Sequence, residues 1–273
     1  MANAVRKYKY YLASIPRLLM GYVEWPKVLG AFSGLYRKQP FEVQLRHDGV
    51  RFMVRGTMDL WSIKEAFMDR FYERCGFKVE HQWTVMDIGA GIGEFTLLAA
   101  RADALNRVIA FEPFTDSYKL LRQNLRLNGA VNVSAIPMAI GSRSGKIRLD
   151  FSAGEPLQIK SQLADGTGTG SGAGTDDPGL VECLSLTEAL DRYEVQECDL
   201  LKLDCEGAEY DILFYAPAET LRRIKRIVME YHDQKASYSH KDMERHLRDH
   251  GYEVDTFAND VHDDIGYLRA IRP

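Results

Sequence analysis

Two short stretches collect side chains able to move a proton or hold a cation. "KLDCEGAEYD" carries Asp204, Glu206 and Glu209 after an apolar run, and "VMEYHDQ" carries Glu230, His232 and Asp233 after another. If both runs are strands of one sheet, their tips line one crevice. Asp204 or His232 is then a candidate general base. Asp204, Glu230 and His232 also make a candidate set for a divalent metal, although their spacing is no diagnostic ligand motif. Glu206 and Glu209 have a plainer reading, since acids in the first turn of a helix satisfy its free N–H groups. His246 and His250 sit on a predicted helix without an H-E-x-x-H pattern and read as solvated; His47 belongs to a turn.

A second constellation is "VMDIGAGIGEFTLLAA" (85–100). An apolar run ends in Asp87, then Gly89, Gly91 and Gly93 alternate with small residues before an apolar helix pattern. Glycine there allows positive φ and a close approach of backbone N–H groups to a ligand. Glu112, in "RVIAFEP", ends the next predicted strand and can accept both ribose hydroxyls of an adenosine. The ligand is a dinucleotide or S-adenosylmethionine. The dinucleotide fingerprint asks for Gly or Ala where this chain has Glu94, an anion at the helix end a pyrophosphate would need. Asp87 points the same way, because an acid at the strand tip suits a cationic ligand. No G-K-[ST] is present, so the motif excludes a P-loop.

These residues need a frame. Residues 5–36 read as two or three short helices broken by Pro16 and Pro26. "FEVQLRHDGVRFMVRG" (41–56) reads as a hairpin turning at Asp48-Gly49, and 59–76 as one helix stopped by Gly76. From residue 83 strands and helices alternate: "VSAIPMAIG" is one strand, and "GYLRAIR" is the last, directly after a helix at "KDMERHLRDHG". Repeated βα units predict an α/β fold with a doubly wound, mainly parallel sheet. Residues 1–76 form a helical and hairpin extension, and 77–273 the ligand-binding core. A Gly-rich loop at 165–179 is too polar to pack and reads as mobile, serving as a lid or a passive insertion.

"VMDIGAGIGEFTLLAA", "IAFEP" and "NLRLNG" resemble the first motifs of class I S-adenosylmethionine-dependent methyltransferases. "DLLKLDCEGAEYDIL" resembles the strand–turn–helix signature of the FkbM group of those enzymes, and "MDLWSIKEAFMDRFY" the segment before their core. The resemblance runs from about residue 45 to the C-terminus and leaves out residues 1–40. Gly91 stands where the group usually has Asn. The resemblance implies a seven-stranded Rossmann-like sheet and methyl transfer to an oxygen of a sugar, glycan, polyketide or other small acceptor. It assigns Asp87, Gly89, Ala90, Gly91 and Gly93 to the methionine portion of the cofactor and Glu112 with Pro113 to the ribose. Met138 and Ala139 would flank the adenine, and Glu65 would reach the amino end. Asp204, Glu230 and His232 would serve the acceptor, directly or through a metal that lowers the hydroxyl's pKa. Two alternatives stand beside this: an adenosyl-binding regulatory or scaffold module without turnover, and a nucleic-acid methyltransferase.

Composition narrows the classes. The 273 residues, 45% hydrophobic and 27% charged, suit one large globular domain or a domain with an appendage. No apolar run is long enough to span a bilayer, and the N-terminus lacks the form of a signal peptide. Cys75, Cys183, Cys198 and Cys205 show no pairing pattern and read as reduced thiols of a cytoplasmic protein. Residues 1–40 hold seven basic residues against Glu24 alone, a net +6, while the whole chain carries −4. The rest is therefore acidic at −10, which argues against a nucleic-acid partner. The basic arm either packs on that acidic body or meets an anionic membrane surface or acidic partner. It also offers a segment for swapping in a homo-oligomer.

Overall fold

Thr84–Ile88, Arg107–Phe111 and Leu200–Leu203 are almost wholly buried along their length, which only a sheet covered on both faces allows. The computed structural model of the chain describes residues 2–35, 39–149, 162–163, 179–233, 237–259 and 264–273. The N-terminal segment holds α1 (Ala2–Gly21), α2 (Trp25–Phe32), β1 (Phe41–Gln44), β2 (Arg51–Val54), α3 (Thr57–Ile63), a π turn (Lys64–Met68) and α4 (Phe71–Arg74). The body continues with β3 (Thr84–Ile88), α5 (Glu94–Ala102), β4 (Arg107–Phe111), α6 (Thr115–Leu127), β5 (Val133–Ile136), β6 (Ala139–Gly141), β7 (Gly145–Arg148) and β8 (Gln162–Leu163). It ends with β9 (Leu180–Ser185), α7 (Leu186–Arg192), β10 (Leu200–Leu203), α8 (Glu209–Phe214), α9 (Ala218–Arg222), β11 (Arg226–His232), α10 (His240–Asp249), β12 (Glu253–Ala258) and β13 (Ile265–Ile271).

Seven strands form one sheet in the order β12, β13, β11, β10, β3, β4, β5. The five from β11 to β5 are parallel, and β13 runs antiparallel to both β11 and β12. Strand order reverses between β3 and β10, so the crevice of this α/β sheet opens at their carboxyl ends. The glycine turn follows β3, Glu112 follows β4, Asp204 follows β10, and β11 ends on His232. A second sheet of β6, β9, β7 and β8 stands beside the first.

Several local expectations are corrected. Pro16 lies inside α1 without ending it, because losing one backbone bond is offset by burial of Ser14 and Leu18. Pro26 sits in the first turn of α2, where its missing N–H is no loss. The helix expected over 59–76 splits in three. Asp69 N bonds Lys64 O at 2.9 Å in the π turn, and Arg70, at φ 49, breaks the chain direction before α4. The π turn places Lys64 fully inside, against Asp69 at 2.5 Å and over the rings of Tyr10 and Trp61. The single strand expected over 133–141 parts at Pro137 into β5 and β6, which belong to different sheets. β12 was not expected, since "EVDTFA" lies at a sheet edge with most residues facing water. The Gly-rich stretch lies outside the described residues except Gly179, whose carbonyl accepts from Leu149 N at 2.8 Å.

The hairpin turns where Asp48-Gly49 predicted, with Gly49 at φ 68. It is fastened to the body by the asparagines of "NLRLN". Met53 N donates to Asn124 Oδ1 at 2.7 Å and Arg51 N to Asn128 Oδ1 at 2.9 Å. Asn124 Nδ2 also reaches Ile92 O at 2.9 Å, beside the glycine turn. Leu18, Tyr22, Val43, Phe52 and Leu60 share one apolar cluster with Ile92, Leu97 and Leu121 of the body. The N-terminal segment therefore helps hold the turn in place.

Candidate active site

The glycine turn is shaped by what presses on it. Gly89, at φ 75, lies under the chain after β10: a Cβ there would stand 1.8 Å from Asp204 O. Gly89→Ala is expected to lose about 2–5 kcal/mol of stability, read by urea unfolding, from backbone collision plus an unfavourable φ. Gly91, at φ 56, turns its N–H to Glu112 Oε2 at 2.7 Å, while Phe114 N donates to Glu112 Oε1 at 2.9 Å. Gly93 serves packing instead, since a Cβ there would meet Leu121 at 2.6 Å.

A cavity of about 850 Å3 opens above these strand ends. Of the residues assigned to the cofactor, Glu65, Gly89, Gly91, Glu112, Pro113, Met138 and Ala139 line it. Asp87, Ala90 and Gly93 do not. Asp87 is wholly buried behind the turn, 3.0 Å from Lys202 Nζ, and accepts from Thr96 Oγ1 at 2.5 Å. The same ammonium donates to Gly89 O at 2.7 Å. Asp87 and Lys202 are paired neighbours on β3 and β10, so the carboxylate is neutralised inside the sheet rather than offered to a ligand. Glu94, at the start of α5, does line the cavity, with Glu65 and Glu112.

Glu94 accepts a bond from Ser62 Oγ through one oxygen; the other is buried without a hydrogen-bond partner. Burial pushes its carboxyl up to about 7. Glu112 is likewise pushed up to about 7 by burial, against the pull of its bonds from Phe114 and Gly91. Glu65 accepts from Trp61 Nε1 at 2.9 Å and Tyr10 OH at 3.3 Å, and burial raises it too. The local sequence around Ser62 held no signal for its bond to Glu94; only the fold of the N-terminal segment reveals it.

The acceptor side is acidic. Asp204, Glu206, Glu230 and His232 line the cavity with Glu65 and Asp211. Glu209 is fully buried and accepts from Cys205 N at 2.5 Å and Gly207 N at 2.7 Å, capping the turn after β10. His232 sits between Glu206 (3.7 Å from Nε2) and Glu209 (3.5 Å from Nδ1). Burial favours its neutral form, but Glu209, Glu230 and Asp204 outweigh that and raise its pKa to about 9. Glu230 is raised well above the usual carboxylate range by burial and by Asp204 nearby. The raised pKa favours the imidazolium form of His232, a poor proton acceptor, and the other candidate base lining the cavity is Asp204. Asp233 is occupied outside the cavity by Tyr210 OH (2.6 Å) and His240 (2.6 Å). His246 is not solvated as expected: it is half-buried between Phe214 and His250 and bonds Leu213 O at 3.2 Å. The four cysteines are free and buried.

Asp204, Glu230 and His232 offer ligand atoms within 4.8 Å of one another, the reach of a single cation. The two carboxylates suit a hard divalent ion, and His232 would join only after losing its proton.

Comparison with known proteins shows what the chain is similar to. A family model described as the Methyltransferase FkbM domain matches residues 87–254. The AMB antimetabolite synthetase AmbE of Pseudomonas aeruginosa is 29% identical over 70% of the chain, which spans only 10% of that protein. The 31-O-demethyl-FK506 methyltransferase FkbM of Streptomyces tacrolimicus is 26% identical over 70% of the chain and 80% of its own length. The solved structure of Methyltransferase FkbM from Methylobacillus flagellatus superposes with a TM-score of 0.51 at 16% identity, covering 73% of this chain and 46% of that one.

Proposed function

Because the chain belongs to the FkbM methyltransferase family, we propose that it methylates a hydroxyl oxygen of a small-molecule or glycan acceptor, using S-adenosylmethionine. The observation that carries this reading is one cavity running from the glycine turn and Glu112 to Asp204, Glu230 and His232. Its volume, about 850 Å3, is that of a ligand pocket, and its lining joins the glycine turn to the acidic strand tips. A relative named for a 31-O-demethyl substrate supports oxygen as the methylated atom.

The lining fits the donor. A Cβ at Gly91 would meet both carboxylate oxygens of Glu94 at 3.6 Å, so glycine keeps a side chain from covering that carboxylate; Glu112 offers a buried carboxylate for the ribose, and Glu94 holds a buried carboxylate oxygen without a partner. Glu94 and Glu65 would face the cationic amino end, with Met138 and Ala139 beside the adenine. S-adenosylmethionine supplies an already activated methyl group. The chain then has to orient the acceptor oxygen and take its proton. Asp204 takes that proton, and the His232 imidazolium steadies the carboxylates around it.

Replacing Asp204 by Asn is expected to cut turnover about 10²–10⁴-fold. S-adenosylhomocysteine affinity should stay near that of the wild type. The check is mass detection of methylated products from polyols, sugars and hydroxylated polyketides. Cofactor binding without turnover on any hydroxylated acceptor would favour a scaffold role instead. Unchanged turnover in the variant would remove Asp204 from the mechanism.

A second reading of the acidic end rests on the close ligand atoms of Asp204, Glu230 and His232. A divalent cation held there would lower the hydroxyl's pKa. Thermal melting with added magnesium or manganese tests it: a saturable rise lost in Glu230→Gln supports the site, and an unchanged melting temperature refutes it.

The raised carboxyls also set a pH dependence. Ribose and ammonium groups favour ionised Glu112 and Glu94, whereas the free protein holds their protons below about 7. Affinity for S-adenosylhomocysteine should therefore level off above pH 7. Below it, affinity should fall about tenfold per pH unit for each proton displaced, read by calorimetry. An affinity flat from pH 6 to 8 would refute the assignment.

A further inference from the structure

α1 and α2 each carry two apolar stripes. One turns inward and buries Leu18 and Val28 with Tyr22 between the helices. The other turns to solvent, through Leu12, Ile15 and Met20 on α1 and Trp25, Leu29 and Phe32 on α2. Trp25, Leu29 and Phe32, four and three residues apart, share one face of α2, and Leu12 and Ile15, three apart, share one face of α1. Among the described residues thirteen large apolar side chains are exposed, and eight of them fall within residues 12–35. Such a concentration in one packed helix pair marks a contact site rather than the usual scatter of single exposed residues.

The charge on the same segment selects the partner. The sequence of α1 contains four basic residues and no acid, and α2 adds Lys27 and no acid. Arg17 is partly committed to Asp69 at 2.8 Å, which still leaves the helix strongly positive. A second copy packed face to face would set like charges against each other. A bilayer of anionic phospholipid meets both requirements, taking apolar side chains below the headgroups and basic ones among them. Trp and Phe at the outward face suit that boundary depth. No helix of the described residues is long and apolar enough to cross a membrane, so contact would be in the plane of the surface.

We propose that α1 and α2 seat this protein on the surface of anionic phospholipid membranes, with Leu12, Ile15, Met20, Trp25, Leu29 and Phe32 inserted at the interface. The inference stands on exposure and charge and does not depend on the reaction.

Co-sedimentation of the full chain with vesicles tests it, using phosphatidylcholine alone or mixed with phosphatidylglycerol. Binding is expected to the mixed vesicles, weakly to the neutral ones, and to fall as salt is raised. Trp25→Ser with Leu29→Ser should weaken it about tenfold or more. Both residues lie outside the cavity, so S-adenosylhomocysteine affinity in this variant should equal the wild type's and show that it is folded. Absence of binding to the mixed vesicles, or equal binding by the variant, would overturn the proposal. So would a lipid-free dimer in sedimentation velocity that the same substitutions dissociate, since the face would then belong to a second copy.

Discussion

Lys202→Met is expected to lose about 3–5 kcal/mol of folding stability, measured by urea unfolding. Lys202 is nearly inaccessible, Asp87 wholly so, and their charges stand 3.0 Å apart between β3 and β10. Removing the ammonium leaves an unpaired carboxylate in the middle of the sheet. It also frees Gly89 O, which Lys202 holds at 2.7 Å, so the variant should bind S-adenosylhomocysteine weakly even under conditions where it stays folded. The double variant Asp87→Asn, Lys202→Met should recover part of the stability, because no buried charge is then left alone. A single variant as stable as the wild type would show that the pair is not what joins these strands.

The second large effect belongs to Glu112. Its replacement by Ala should weaken S-adenosylhomocysteine about 100-fold, roughly 2.7 kcal/mol. The carboxylate now accepts from Gly91 N and Phe114 N, so it shapes the turn as well as offering oxygens to the ribose. Gln in its place keeps the size but only one acceptor and sets its NH2 against the other backbone N–H, so a loss of at least about tenfold, short of that of Ala, is expected. Affinity unchanged in the Ala variant, by calorimetry, would refute the ribose assignment.

Asp87 and Glu112 also show what could be read from sequence. Both are acids at the ends of apolar runs, and local pattern treats them alike. Glu112 lines the cavity, as its place at the end of a predicted strand suggested. Asp87 does not, because its partner Lys202 arrives from a strand far along the chain, and sheet register alone sets them side by side. Glu94 lies at the cavity as its place after the glycine turn suggested, but its bond from Ser62 depends on the fold of the N-terminal segment, which helix periodicity does not reveal.

The βα alternation, the hairpin and the fold class were plain for a related reason: each follows from a repeating pattern or a turn residue. Elements held mainly by tertiary contacts were not. α1 passes through Pro16 because its inward stripe is buried, and β12 pairs with β13 despite a polar sequence. His232 marks the limit at the site. Its residue type suggested a base, and only the surrounding carboxylates, Glu209 at the start of α8, Glu230 on β11 and Asp204 after β10, raise its pKa and favour its protonated form.

The most direct test of the central claim is calorimetric titration of the purified chain with S-adenosylhomocysteine and, separately, with NAD. The account predicts micromolar binding of S-adenosylhomocysteine, weakened in Glu112→Ala, and no binding of NAD, which Glu94 and the acidic cavity oppose. Binding of NAD, or of neither ligand by folded protein, would contradict it.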